Sequence, residues 1–148
     1  MHSLHREQTI PTSLDEAWAF LSNPYNLSKI TPPEMGFQVL GEIPEEIYNG
    51  LLISYRVKVP YLGNQLWVSE IKHVRLRRAF VDEQRVGPYR FWYHYHEINQ
   101  VEEGVQFIDQ VSYQLPFGPL GRAAQVLFVR RSLREIFDYR KEVFSSLF

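Results

Sequence analysis

The chain has 148 residues, 45% of them hydrophobic and 22% charged, with a formal net charge of −1. That length suits one domain with one core, expected to span residues 1–148. A near-neutral balance excludes a general nucleic-acid binder, which needs a basic surface against phosphates. The lack of cysteine excludes disulfides, thiolate nucleophiles and Cys-ligated zinc. Residues Met1 to Glu7 carry no apolar run of the signal-peptide kind. No apolar run approaches the roughly 18 residues of a membrane span. The expectation is a cytoplasmic protein with no stable membrane insertion.

Leu4 to Ile10 reads as a first strand, broken by Pro11-Thr12-Ser13. Ser13 or Thr12 can cap a short helix, with Asp15 and Glu16 suited to its first turn. Leu14, Ala17, Trp18 and Leu21 give that helix its apolar face. A second short helix, about Pro24 to Lys29, stops before Thr31-Pro32-Pro33. Strands follow at Phe37–Leu40, Leu51–Val59, Gln65–His73 and Arg78–Gln84, then two long ones at Arg90–Val101 and Val105–Leu115. Asn49-Gly50, Pro60 to Asn64, Gly87-Pro88 and Glu102-Glu103-Gly104 punctuate them. After Pro116 to Gly121, apolar residues recur at helical spacing from Leu120 to Leu147, predicting one long amphipathic helix. Its arginines and Lys141, Arg140 included, read mostly as a solvated face.

Consecutive strands with short links imply an antiparallel sheet. A curved sheet must bury its concave face, and the long helix supplies the stripe for it. The predicted class is α+β: about seven antiparallel strands wrapped around a C-terminal helix, with two short helices after the first strand. Such a sheet and a single helix meet at their edges and leave a gap between them. Nine Tyr, ten Phe and three Trp suit either a well-filled core or an aromatic-lined cavity.

Period-2 alternation identifies one polar constellation. In Val105–Leu115 the odd positions are Val105, Phe107, Asp109, Val111, Tyr113 and Leu115, an inner face with one charge. A two-residue turn at Glu103-Gly104 pairs Ile98 with Asp109, His96 with Val111 and His94 with Tyr113. Arg90, Trp92, His94 and His96 then share the inner face, with Asp109 diagonal to His96. Three readings of His94, His96 and Asp109 stand side by side. They form a hydrogen-bonded anchor for the strands, or polar contacts to a ligand headgroup, or a site of chemistry. In the last case Asp109 orients a histidine general base, or the three residues hold non-haem iron or zinc. No cofactor motif or nucleophile accompanies them, so the expectation is no cofactor and no metal.

Asp82 and Glu83 read as one pairing carboxylate and one solvated residue. Arg75, Arg77 and Arg78 read as a solvated loop. An anionic ligand head can instead use Arg90. Tyr55, Tyr93, Tyr95 and Tyr113 are candidate pocket hydroxyls, and only Tyr113 is placed inside by the alternation.

The motifs Ile30-Thr31-Pro32-Pro33, Phe80-Val81-Asp82-Glu83-Gln84, Gly87-Pro88-Tyr89, Trp92-x-His94-x-His96, Asp109-x-Val111-x-Tyr113 and Pro116-Phe117-Gly118-Pro119-Leu120-Gly121 resemble the START-like (SRPBCC) helix-grip superfamily. Within it they resemble the polyketide-cyclase/dehydrase-like subgroup. The resemblance covers the whole chain. It implies a stand-alone ligand-binding protein, with a possible functional link to a short-chain-dehydrogenase-like epimerase. This chain has no Gly-rich dinucleotide fingerprint of its own. The superfamily hosts many activities, so the fold does not give the function.

The first functional expectation is therefore a binder of a lipid-, polyketide- or aromatic-like molecule. Its wall is expected to comprise Trp18, Trp67, Trp92, Phe107, Val111, Tyr113, Leu127 and Phe137, with His94, His96 and Asp109 setting polarity. The alternative is an acid–base cyclase, dehydratase or isomerase using the same polar residues. A third expectation is a partner-binding module with an apolar strip at Ile43–Leu52 or Phe144–Phe148. Ligand identity and oligomeric state are not written in the sequence.

Overall fold

The computed structural model describes residues 1–59 and 62–148. The predicted turn at Pro60 to Asn64 thus lies partly outside the described residues, and its Gly63 and Asn64 belong to a strand. Seven antiparallel strands form one sheet in the order β1-β7-β6-β5-β4-β3-β2. They are β1 (His2–Ile10), β2 (Gln38–Leu40), β3 (Leu52–Val59), β4 (Gly63–Arg75), β5 (Ala79–Val86), β6 (Phe91–Val101) and β7 (Gly104–Gln114). Helix α1 (Leu14–Leu21) and a 3₁₀ helix (Pro24–Ile30) follow β1. The architecture is the predicted α+β helix grip.

Local chemistry explains the elements. Ser13 Oγ accepts the Glu16 amide at 3.1 Å, and Thr12 Oγ1 donates to Glu16 Oε2 at 2.7 Å, so both predicted caps act on one residue. Asn23 Oδ1 accepts the Tyr25 amide at 3.0 Å, with Pro24 in the first turn of the 3₁₀ helix.

The C-terminal helix, α2, is continuous over residues 118–147, with a π turn at Gln125–Val129. The π turn revises the predicted stripe. Gly121, Gln125, Leu133 and Phe137 are buried at spacings of four or its multiples. That spacing advances more slowly than the 3.6-residue period, and the wider π turn absorbs the difference. Leu120, Val126 and Leu127 are consequently exposed, Leu127 to 64%, and Leu127 is no part of a wall. Arg140 is corrected in the opposite sense: it falls in the stripe with Leu133, Phe137 and Phe144, and is buried.

Arg6 donates to Asp138 Oδ1 at 2.7 Å, and Gln8 donates to the Lys141 carbonyl at 2.8 Å. These bonds tie β1 to the second half of α2. Phe20, Phe107, Phe144 and Phe148 pack edge and face at centroid distances of 4.9 to 6.3 Å. Phe144–Phe148 therefore closes the core rather than forming an exposed strip. In the other proposed strip, Tyr48 and Leu52 are exposed while Ile47 and Leu51 are buried.

The β6–β7 register differs from the prediction by two residues. Val101 pairs with Gly104, His96 with Asp109 and His94 with Val111. The turn is Glu102-Glu103, not Glu103-Gly104. A two-residue slip preserves the faces, so the even side of β6 and the odd side of β7 are both buried, as the alternation requires.

Candidate functional site

Three neighbouring strands and α2 converge on one buried cluster. Strand β5 contributes Asp82, β6 contributes His94 and His96, β7 contributes Asp109, and α2 contributes Arg140. Cα pairing sets Asp82 opposite His94 and His96 opposite Asp109. Since His94 and His96 are two apart on a strand, both side chains project from the same face. Their rings stack at 3.7 Å between centroids, and Phe80 stacks on the other side of His96 at 4.4 Å.

Each imidazole lies between the two carboxylates. His94 Nε2 is 2.8 Å from Asp109 Oδ1, and its Nδ1 is 3.5 Å from Asp82 Oδ2. His96 Nε2 is 2.5 Å from Asp82 Oδ2. Its Nδ1 is 3.3 Å from Asp109 Oδ1, buried and without a well-directed hydrogen bond. Arg140 Nη2 donates to Asp109 Oδ1 at 3.0 Å. The guanidinium lies over the Phe137 and Phe144 rings at 5.9 and 5.1 Å, a placement that favours a cation.

Burial pushes the Asp109 carboxyl up, but Arg140 and the two imidazoles outweigh it and hold the group well below the usual carboxylate range. Burial likewise opposes ionisation of Asp82, and His94, His96 and Arg140 overcome it. The imidazoles separate. Burial and the neighbouring His96 push His94 down. Burial pushes His96 down too, but the adjacent Asp109 and Asp82 carboxylates outweigh it and raise it. Two carboxylates face one guanidinium and two imidazoles, and of the two rings His96 is the one whose surroundings favour the charged form.

Asp82, His96 and Arg140 also border a cavity of about 60 Å³. Its remaining wall is largely apolar, including Leu27, Ile30, Phe37, Ile53, Ile71 and Phe80. Two hydroxyls join the polar end. Tyr55 Oη lies 3.2 Å from Ser69 Oγ, which also accepts Trp67 Nε1–H at 3.1 Å. Burial, followed by the nearby Asp82 charge, pushes the Tyr55 phenol well up, so it stays protonated.

Of the residues expected from sequence to form the wall or its polar head, His96 borders this cavity, and so does Tyr55, one of the four candidate pocket hydroxyls. His94 and Asp109 stand behind His96 in the cluster. Trp67 and Trp92 pack at 5.3 Å, joined by Tyr89, which lies 5.9 Å from Tyr113. Tyr113 Oη accepts from Gln125 Nε2 at 2.7 Å. Trp18 packs edge-on to Phe80 at 6.1 Å, with a buried indole N–H that has no partner among the described residues. Val111 is fully buried. Phe107 and Phe137, with Asp109 and Arg140, border a smaller groove between β1 and α2.

Arg90 is exposed and precedes β6, and its amide donates to the Gln114 carbonyl at 2.9 Å. It does not share the inner face. Of Asp82 and Glu83, neither is the expected solvated residue: Asp82 pairs with His96, and half-buried Glu83 pairs with Lys72. Tyr95 points outward to Glu97 and Arg75. Sequence reasoning missed Arg140 and read Asp82 and Glu83 only as one pairing carboxylate and one solvated residue. The signal for Asp82 was its parity with Phe80 on β5. The signal for Arg140 was its place three and seven residues from Phe137 and Leu133.

No protein-family model and no curated protein matches the chain. Solved structures match it throughout. A START superfamily protein from Mycobacterium smegmatis superposes with a TM-score of 0.70 at 9% identity, covering 100% of both chains. A protein from Chromobacterium violaceum reaches 0.73 at 10% identity, over 99% of this chain and 97% of that one. A nucleoside-diphosphate sugar epimerase from Corynebacterium glutamicum reaches 0.69 at 19% identity, over 97% of this chain and 28% of the epimerase. At these identities the likeness establishes the START-like helix-grip fold and no activity. Among the described residues, no helix is long and apolar enough to cross a membrane.

Proposed function

We propose that the chain binds a small molecule with an apolar body and a polar head between the sheet and the 3₁₀ helix Pro24–Ile30, in a space that α2 reaches through Arg140 rather than walls along its length as the sequence predicts. One observation carries this reading: an apolar-walled cavity is bordered by buried Tyr55, Ser69, His96 and Arg140 and by half-buried Asp82. Ligand sites are commonly built this way, with apolar walls giving affinity and a few polar groups fixing orientation. Apolar contact contributes about 25 cal/mol per Å² of ligand surface removed from water. The polar end offers a hydroxyl pair and one imidazole, which suits a carbonyl, phenol or carboxyl head.

The epimerase that shares this fold over 28% of its length supports a functional link to such an enzyme, through a common small molecule. A second reading rests on His96. A histidine held between two carboxylates at a cavity wall is equipped for proton transfer to a bound molecule. It makes the chain an acid–base catalyst of the cyclase, dehydratase or isomerase kind.

Native mass spectrometry of the protein purified from its own host tests both readings. The expected result is one small molecule per chain, released on denaturation and largely apolar. Recovery of that molecule unchanged after incubation favours binding alone, and its conversion to an isomer or dehydrated product favours catalysis. A protein that is empty, and that takes up neither aliphatic nor aromatic probes, overturns the proposal.

A further inference from the structure

The cluster has an asymmetry that hydrogen bonding alone does not require. His94 Nδ1 and His96 Nε2 both aim at one oxygen, Asp82 Oδ2, at 3.5 and 2.5 Å. The opposite nitrogens of the same rings both lie near Asp109 Oδ1, at 2.8 and 3.3 Å. One donor atom from each of Asp82, His94 and His96 lies within 4.8 Å of the others. We propose that Asp82, His94 and His96 form a binding site for one zinc ion, with Asp109 as the outer carboxylate that orients both imidazoles. The inference goes beyond the small-molecule reading and holds whether or not the cavity takes an apolar ligand.

Three features of the geometry carry it. The donor set is two imidazole nitrogens and one carboxylate oxygen, which suits zinc and other late first-row divalent ions rather than the all-oxygen preference of calcium or magnesium. Zinc bonds of about 2.0–2.2 Å set tetrahedral donor atoms roughly 3.3 Å apart. The His94–Asp82 spacing of 3.5 Å already meets that requirement. The His96–Asp82 contact needs to open by less than about 1 Å.

The second feature is the outer shell. Metal-bound histidines donate their remaining N–H to a carboxylate, which fixes tautomer and ring orientation. Asp109 faces both remaining nitrogens and is itself fixed by Arg140. The buried His96 Nδ1, with no well-directed partner, gains a defined role as that N–H donor. The third feature is access. Asp82 and His96 border the cavity while Asp109 does not, so the coordination position left open by three protein ligands faces the space where a molecule can enter. Three protein donors plus one open position is the pattern of reactive rather than structural zinc.

The test uses the intact chain, stripped with a chelator and titrated with zinc, with cobalt(II) as the spectroscopic substitute. One zinc per chain should survive gel filtration. In wild-type protein labelled with [15N]histidine, only His94 Nδ1 and His96 Nε2 should show metal-bound shifts. Asp82→Asn should lose stoichiometric binding. Asp109→Asn should keep one site but weaken it by about 10–100-fold. His5→Gln, at the exposed His5 on β1, should bind as wild type. Zinc retained below one per chain, or shifts confined to His2, His5 and His73, overturns the proposal. So does a folded Asp82→Asn protein with unchanged affinity. The labelled wild-type measurement decides the matter even if a variant fails to fold.

Discussion

Asp109 illustrates how much one residue can carry. It is buried and contacts His94, His96 and Arg140. Its carboxyl is held well below the ordinary range, so the folded state binds its proton more weakly than the unfolded chain does. The sign follows from linkage. The stabilisation is fully present above the unfolded value of about 4 and is lost as pH falls through the lower folded value. Asp109→Asn keeps the shape but leaves Arg140 without its buried counter-charge. The expected cost at pH 7 is about 3 kcal/mol, the range for breaking a buried ion pair from one side. Denaturant unfolding of metal-free protein at pH 7 and pH 3 checks this. The wild type should lose more stability than the variant over that interval, and equal losses would show that Asp109 titrates alike in both states. His94, His96 and Asp109 were readable in the sequence because period-2 alternation places like-parity residues on one face. Asp82 and Arg140 were not recognised as site residues. A carboxylate beside Glu83 reads as a surface pair, and an arginine among eight other charged residues of a helix reads as solvated. Both are inward only because the cluster neutralises them.

At the scale of elements, Gly104 explains the register error. A glycine after two glutamates reads as a turn residue, so the turn was set at Glu103-Gly104. The structure places Gly104 inside β7, opposite Val101, at φ 138°. A Cβ there would lie 2.1 Å from the Ile10 carbonyl oxygen. The glycine is needed so that the end of β1 can pass against the β6–β7 hairpin, a long-range contact that local turn preferences do not contain. Gly104→Ala combines this clash with a backbone conformation that is strained for any side chain. It should destabilise by about 3 kcal/mol or more. The protein's size converts that to a fall in Tm of roughly 6–12 °C. Calorimetry checks it, and a fall below about 2 °C would mean that β1 shifts aside freely. The π turn at Gln125–Val129 was equally hidden, because no proline or glycine marks it. The buried Gln125, bonded to Tyr113, shows why it forms: the wider turn carries a polar side chain into the sheet at the expense of exposing Val126 and Leu127.

At the scale of the whole molecule, the order and type of elements were legible because each strand and helix obeys its own period, and a curved sheet needs one helix to cover it. The size of the space left between them was not, since it depends on how far large side chains fill the gap. Here they fill much of it. About 60 Å³ remains, room for a few waters and far below the roughly 300–1,000 Å³ of a drug-sized site. Binding an apolar molecule therefore requires the walls to part, and the 3₁₀ helix Pro24–Ile30 contributes much of that wall. Ile71 tests the requirement. It is buried on β4 and borders the cavity, so Ile71→Phe places extra volume in the space a ligand would use, at an overpacking cost of about 1–3 kcal/mol. A ligand at 100 times its Kd stabilises the wild type by about 2.7 kcal/mol, or roughly 5–10 °C in Tm. Thermal unfolding with the co-purified molecule should show that shift in the wild type and little or none in Ile71→Phe. An equal shift in both would move the binding site to the groove between β1 and α2, where Phe107 and Phe137 flank Asp109 and Arg140, and the polar cluster would then be approached from its opposite side.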